Sequence, residues 1–114
     1  MTHVEGEGYR VEHDPDAARV SCSGTLRLGG LAEYAPIAEL LEAAMAQHER
    51  LELDLTQLDF LNSSGIATLS KFIITVRDSQ RCALHVIGSS SVPWQGKSLK
   101  NLQRLMPTLE LTFE

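Results

Sequence analysis

The chain has 114 residues, a mass of 12.6 kDa, and ten basic against fifteen acidic side chains, for a net charge of −5. That length fits a single domain of about 100–150 residues, and 43% hydrophobic residues supply a core without a metal or disulfide staple. An acidic chain with only 5% aromatic residues lacks the basic, ring-bearing surface that nucleic acid takes.

Residues 1–7, with Gly6 close to Gly8, read as a flexible lead-in, and a domain is expected over residues 8–114. In Tyr9–His13 and Ala18–Ser23 apolar and polar residues alternate, which predicts two strands. Asp14-Pro15-Asp16 between them is turn chemistry, because proline presets φ and aspartate bonds nearby backbone. The second strand is expected to run on through Gly24 toward Leu28 and to end at Gly29-Gly30. A helix follows. Ile37, Leu40, Leu41, Ala44 and Met45 recur at helical spacing, and Pro36 fits the first turn, where its missing N–H costs little.

Leu51–Leu55 alternates as a strand, and Thr56–Asn62 reads as a loop. Ile66, Leu69, Phe72, Ile73 and Val76 predict a second helix over about 64–78. Ala83–Ile87 is a short apolar strand, followed by the loop Gly88–Ser91. A third helix is predicted over Gln95–Met106, stopped by Pro107, and Leu109–Phe113 alternates as a last strand. The order ββαβαβαβ, with helices linking the later strands, implies an α/β fold: one mixed sheet with parallel crossovers and packed helices. The loops at the carboxyl ends of its parallel strands are where function is expected.

The chemistry concentrates in Asp54-Leu55-Thr56-Gln57-Leu58-Asp59-Phe60-Leu61-Asn62-Ser63-Ser64-Gly65-Ile66. Asn62 and Ser63 stand where an N-cap belongs, and the free N–H groups and dipole of a helix start tolerate an anion. Residue types alone favour a plain cap with a glycine for close packing. The functional alternative is an exposed serine that accepts a phosphoryl group. A phosphoserine adds about −1.5 to −2 charges and three acceptor oxygens. The helix start bears that charge, while a partner docked on the same loop meets repulsion.

These residues, from the Asp-Leu strand end through Asn62-Ser63-Ser64-Gly65 into an amphipathic helix, resemble the central motif of STAS domains, a family that includes bacterial anti-sigma factor antagonists. The order of elements resembles that fold over nearly the whole chain. Two cysteines without a CxxC pair lead to the expectation of a reducing cytoplasm, and the resemblance implies a non-enzymatic signalling protein. Its acceptor would be Ser63, with Ser64 as the alternative. Its partner would be a Ser/Thr kinase or anti-sigma factor of ATPase-type fold, with a PP2C-type phosphatase removing the phosphate. Where the family commonly carries Asp before the acceptor, this chain has Asn62, which caps equally but brings no charge to a kinase that reads one.

The segment from Val92 to Pro107 departs from standard antagonists and resembles a small subgroup of stand-alone STAS-like regulators. Trp94 is the single tryptophan, and Lys97, Lys100 and Arg104 recur at i, i+3 and i+7. They read either as a docking face with an aromatic anchor or as a solvated helix whose Trp94 packs on the domain. A constitutive interaction module without phosphorylation would use that face. A nucleotide-binding domain is the other alternative, but Ser91 stands where a P-loop before Gly96-Lys97-Ser98 needs glycine.

Asp54 and Asp59 either orient the serine hydroxyl or hold the loop through backbone bonds, and loop-holding is the expected role. His3, His13, His48 and His85 show no metal-ligand spacing, and His85 reads as a satisfied core residue. Cys22 and Cys82 make no CxxC pair and read as small buried hydrophobes. The opening MTHVEGEGYR has no apolar signal region, and no run approaches 18 apolar residues, so no membrane span is expected; no cofactor or metal is expected either. Charge is uneven: residues 1–62 hold four basic and twelve acidic groups, and residues 63–114 six and three.

Overall fold

The three helices lie on one face of a six-stranded mixed sheet whose strands run in chain order across it. A computed structural model describes residues 1–114. The elements are β1 (Thr2–Gly6), β2 (Tyr9–Asp14), β3 (Arg19–Leu26), α1 (Leu31–Gln47), β4 (Arg50–Leu61), α2 (Ser63–Ser79), β5 (Ala83–Gly88), α3 (Gln95–Gln103) and β6 (Glu110–Phe113). β1, β2 and β3 pair antiparallel, and β3 to β6 pair parallel in succession. The expected α/β class and parallel crossovers are both present. Each helix returns the chain from one parallel strand to the next, so the N-termini of α1, α2 and α3 gather at the carboxyl edge of the sheet.

Alternation decides which face is covered. Leu51, Leu53 and Leu55 of β4 point into the core, while Glu52 and Asp54 between them stay half-buried on the open face. Leu55 packs with Ile37 and Leu41 of α1 and Leu69 of α2, and with Leu99 and Leu102 of α3 on its other side. The open face carries a ladder of charge in which Arg19 meets Glu52 at 2.8 Å and Arg50 meets Glu110 at 2.9 Å.

Several expectations are corrected. Residues 2–6 are not a lead-in but the edge strand β1, with Val4 opposite Val11 of β2 and packed on the core. The order is therefore βββαβαβαβ. Pro36 is the sixth residue of α1 rather than part of its first turn. The helix starts earlier because Tyr34 is buried only when it shares a stripe with Ile37, Leu41 and Ala44. Pro36 and Ala32 are both exposed, so the one helical bond that proline cannot donate is missing on the solvent side of α1.

Thr56–Asn62 is not a loop: β4 continues to Leu61 beside β3, and Asn62 caps the next helix. The continuation is irregular. Ser21 and Ser23 of β3 face Asp54 and Gln57, and Gly24 and Thr25 face Leu58 and Phe60, so β4 carries an extra residue twice. Those two bulges break the alternation and make the segment read as loop. β3 itself stops at Leu26, and α3 ends at Gln103, three residues short of Met106.

His85 is not in the core. It lies half-buried on the open face, bonded to Thr112 Oγ1 at 3.0 Å and 4.0 Å from both Glu52 and Glu110. Cys22 is buried, whereas Cys82 is only half-buried. No helix is long and apolar enough to cross a membrane.

Candidate functional site

Asn62 joins three elements at the carboxyl edge of the sheet. Its backbone N–H donates to the Leu26 carbonyl at 3.1 Å, and its side-chain Nδ2 donates to the Leu28 carbonyl at 2.9 Å. Its Oδ1 accepts from the Gly65 N–H at 3.0 Å and from the Tyr34 hydroxyl at 2.6 Å. The β3–α1 connection, α1 and the start of α2 are thus tied to one amide. Tyr34 is 1% exposed, and its burial pushes its hydroxyl above the usual tyrosine range, so it stays a neutral donor.

Gly65 is required by the same packing. A Cβ there would overlap Leu61 Cδ1 and come within 2.8 Å of Tyr34 Oη. The glycine of the Ser-Ser-Gly run therefore lets α2 approach α1, and the cap holds it there. The plain capping role is real and coexists with an accessible serine.

Ser63 is the first residue of α2 and is exposed. Ser64 is half-buried, with its carbonyl accepting from Thr68 Oγ1 at 2.9 Å. Gly65 N–H is used by the cap and Ile66 N–H by the Asn62 carbonyl, which leaves the amides of Ser63 and Ser64 free at the positive end of a 17-residue helix. No carboxylate lies in the first turn.

The carboxyl edge of the sheet that Ser63 occupies also carries exposed apolar and cationic side chains. Phe60, two residues before the cap, is 38% exposed, and Leu31 at the start of α1 is 55% exposed. The Arg27 guanidinium sits 4.8 Å from the Phe60 ring centroid, in cation–π contact. Between α1 and α2 runs a groove of about 170 Å³ lined by Leu31, Ala35, Thr68 and Phe72, with Glu39 and Lys71 among its polar walls. Sequence reading missed Phe60, Leu31 and Arg27 as exposed side chains on the edge that carries Ser63. The one available signal was Phe60 directly before Leu61-Asn62, hidden by the bulge that turns it outward.

The other predicted residues are spread more widely. Asp54 holds the first bulge, its Oδ1 accepting from Thr56 N–H at 2.9 Å and Thr56 Oγ1 at 2.7 Å, whereas Asp59 is exposed and bonds nothing. Trp94 is half-buried just before α3, and its indole N–H donates to the Leu58 carbonyl at 3.1 Å. It packs on the domain. Gln95, which sequence reading passed over, is fully buried. Its Nε2 donates to the carbonyls of Leu55 at 2.7 Å and Leu58 at 3.0 Å, and its Oε1 accepts from Ser89 N–H at 2.7 Å. The pair Trp94 and Gln95 closes the bulged backbone of β4 that leads to Ser63.

Lys97, Lys100 and Arg104 are exposed and form no ion pair. Lys97 is in the first turn of α3, at the Ser63 edge. Arg104 follows about 10 Å farther along the helix axis, so the stripe leaves the site rather than surrounding it. Gly96-Lys97-Ser98 lies within α3, not in a loop that could wrap a phosphate. No group of three or more metal-ligating side chains occurs.

No family model and no curated protein sequence matches the chain. Solved structures do. A chain in the crystal structure of the Pseudomonas aeruginosa diguanylate cyclase SiaD in complex with its activator SiaC aligns with a TM-score of 0.76 at 17% identity, covering all of both chains. Apo-SiaC from Pseudomonas aeruginosa aligns at 0.73 and 15% identity over 100% of this chain and 99% of that one. An anti-sigma factor antagonist from Mycobacterium paratuberculosis aligns at 0.56 and 19% identity over 96% and 82%. The six-stranded mixed sheet with its three helices is therefore a STAS-like domain in fold, the fold its Asn62–Gly65 motif resembles.

Proposed function

We propose that this protein is a non-enzymatic regulator that binds a protein partner through the surface around Ser63 and is switched by phosphorylation of Ser63. The observation that carries the reading is the exposed Ser63 on the same carboxyl edge of the sheet as exposed Phe60 at the end of β4 and Leu31 at the start of α1, on a frame held by Asn62 and Tyr34. A phosphate added there changes the charge of a docking surface without disturbing the core. Ser63 is favoured over Ser64 by its exposure. The partner class is a Ser/Thr kinase or anti-sigma factor of ATPase-type fold, and a PP2C-type phosphatase would reverse the mark. Support comes from the likeness of the fold to an anti-sigma factor antagonist.

A second reading of the partner is favoured by the higher TM-score to the SiaD–SiaC structure, in which SiaC is the activator of a diguanylate cyclase. Under it the same surface docks on an enzyme and controls its output. Two other readings have less support. A constitutive module anchored on Trp94 is opposed by the bond that ties the indole to Leu58. A nucleotide site at Gly96 is opposed by its helical backbone.

The test is incubation with ATP and each kinase of ATPase-type fold from the source organism, read by mass spectrometry. One phosphate on Ser63 is expected, and none on Ser63→Ala. Equal incorporation by Ser63→Ala overturns the assignment. Pull-down with the partner should then be lost for Ser63→Asp and kept for Ser63→Ala.

A further inference from the structure

The end of the molecule opposite Ser63 holds a contact that the regulatory reading does not use. His13 on β2 and His48, the C-cap of α1, meet Nε2 to Nε2 at 2.9 Å. Their rings are set edge to face, with centroids 5.2 Å apart and planes at 84°. His13 is 3% exposed, and His48 is half-buried at the edge of a hollow that it shares with Met45, Gln47, Glu49, Ser79 and Arg81. The two residues are 35 apart in sequence, so the bond ties the C-terminal end of α1 to the antiparallel half of the sheet.

We propose that His13 and His48 form an acid-released clasp that fastens the C-terminal end of α1 to β2. The chemistry follows from proton counting. A contact between two Nε2 atoms needs one N–H and one lone pair. The neutral pair satisfies it, and so does the singly protonated pair, because the first proton can occupy Nδ1 of the donor ring. A second proton places N–H against N–H and two positive charges in contact, and the bond is lost.

The surrounding groups do little to offset that repulsion. From β1, the residue facing His13 across the strands is the uncharged Thr2. From β3, the facing residue is the apolar Val20. On β2 itself, Asp14 follows His13 and its carboxylate opposes the repulsion, but it acts on His13 less than burial or His48 does. Beside His48, Glu49 and Arg81 bring charges of opposite sign to the hollow. Burial first, then His48, pushes His13 below the ordinary value of 6.5. A histidine lowered in the fold keeps its stabilising effect above 6.5 and loses it as pH falls below, since the unfolded chain then binds the extra proton.

α1 is therefore fastened at both ends, by Tyr34 to Asn62 at the Ser63 edge and by His48 to His13 at the other. Acid frees one end while the cap of α2 stays bonded.

Amide hydrogen exchange in the last turn of α1, residues 44–47, tests this in buffer with EDTA. Protection factors should fall about tenfold per pH unit between pH 6.5 and 5.0, the slope of one proton. In His48→Asn, and in His13→Asn if it folds, that fall should be less steep than in wild type. Protection in the first turn of α2 should not fall with the last turn of α1. A fall as steep in His48→Asn as in wild type, or no fall in wild type, overturns the clasp.

Discussion

The hydroxyl of Tyr34 donates to Asn62 Oδ1 at 2.6 Å, and this contact links the inner stripe of α1 to the cap of the helix that begins with Ser63. Asn62 uses both ends of its amide, since Nδ2 donates to the Leu28 carbonyl. Aspartate at this position keeps the cap and gains from the helix dipole, but it turns an acceptor toward that carbonyl. Asn62→Asp is expected to lose about 1 kcal/mol of stability in chemical denaturation, and Tyr34→Phe a similar amount. An Asn62→Asp protein as stable as wild type would show that the Leu28 bond contributes no more than the dipole returns.

Gly65→Ala should destabilise by about 1–3 kcal/mol, although alanine is the better helix former. The new methyl has no room between Leu61 and Tyr34. Pairing it with Leu61→Ala should recover part of the loss, since the overlap is with that side chain. The check is the midpoint of urea unfolding for the single and double variants.

Gln95 is the buried polar group with most to lose. Gln95→Leu leaves the carbonyls of Leu55 and Leu58 and the N–H of Ser89 without their partner, and a cost of about 2–4 kcal/mol is expected. Gln95→Glu replaces a donor with a carboxylate facing two carbonyls, so its deficit should be larger at pH 8 than at pH 5, where protonation restores an O–H donor. Thermal melts at both pH values decide this, and an equal deficit would contradict the hydrogen-bond assignment.

Burial pushes the Cys22 thiol up to about 12. The thiolate is the reactive form, so Cys22 should resist iodoacetamide at pH 8 in the folded protein and react on unfolding. Cys82, half-buried and also raised by burial, should be alkylated first. Peptide mapping after a timed pulse reads the order.

Ser63→Asp should leave the fold intact and raise stability by about 0.3–1 kcal/mol, because a carboxylate at the first turn meets the positive end of α2 and no acidic neighbour. The gain should shrink in high salt. A loss above 1 kcal/mol in denaturation would mean that charge at this position disrupts the domain, which is incompatible with a surface switch.

Local pattern determined much of this protein. Alternation in Tyr9–His13 and Leu51–Leu55, the 3.6-residue stripe of α2, and the cap at Asn62 all depend on neighbours within one or two turns, and each is legible from residue types. The place of Ser63 at the helix start follows from the same run, since a serine just after an N-cap begins a helix. Tertiary contact decided the rest. β1 is a strand because β2 offers it an edge. Thr56–Leu61 stays extended because β3 pairs with it through two bulges that no local alternation encodes. Pro36 is inside α1 because burying Tyr34 outweighs one missing hydrogen bond. Trp94, Gln95 and the His13–His48 contact join residues more than thirty positions apart, where only the closed sheet and its helices bring donor to acceptor.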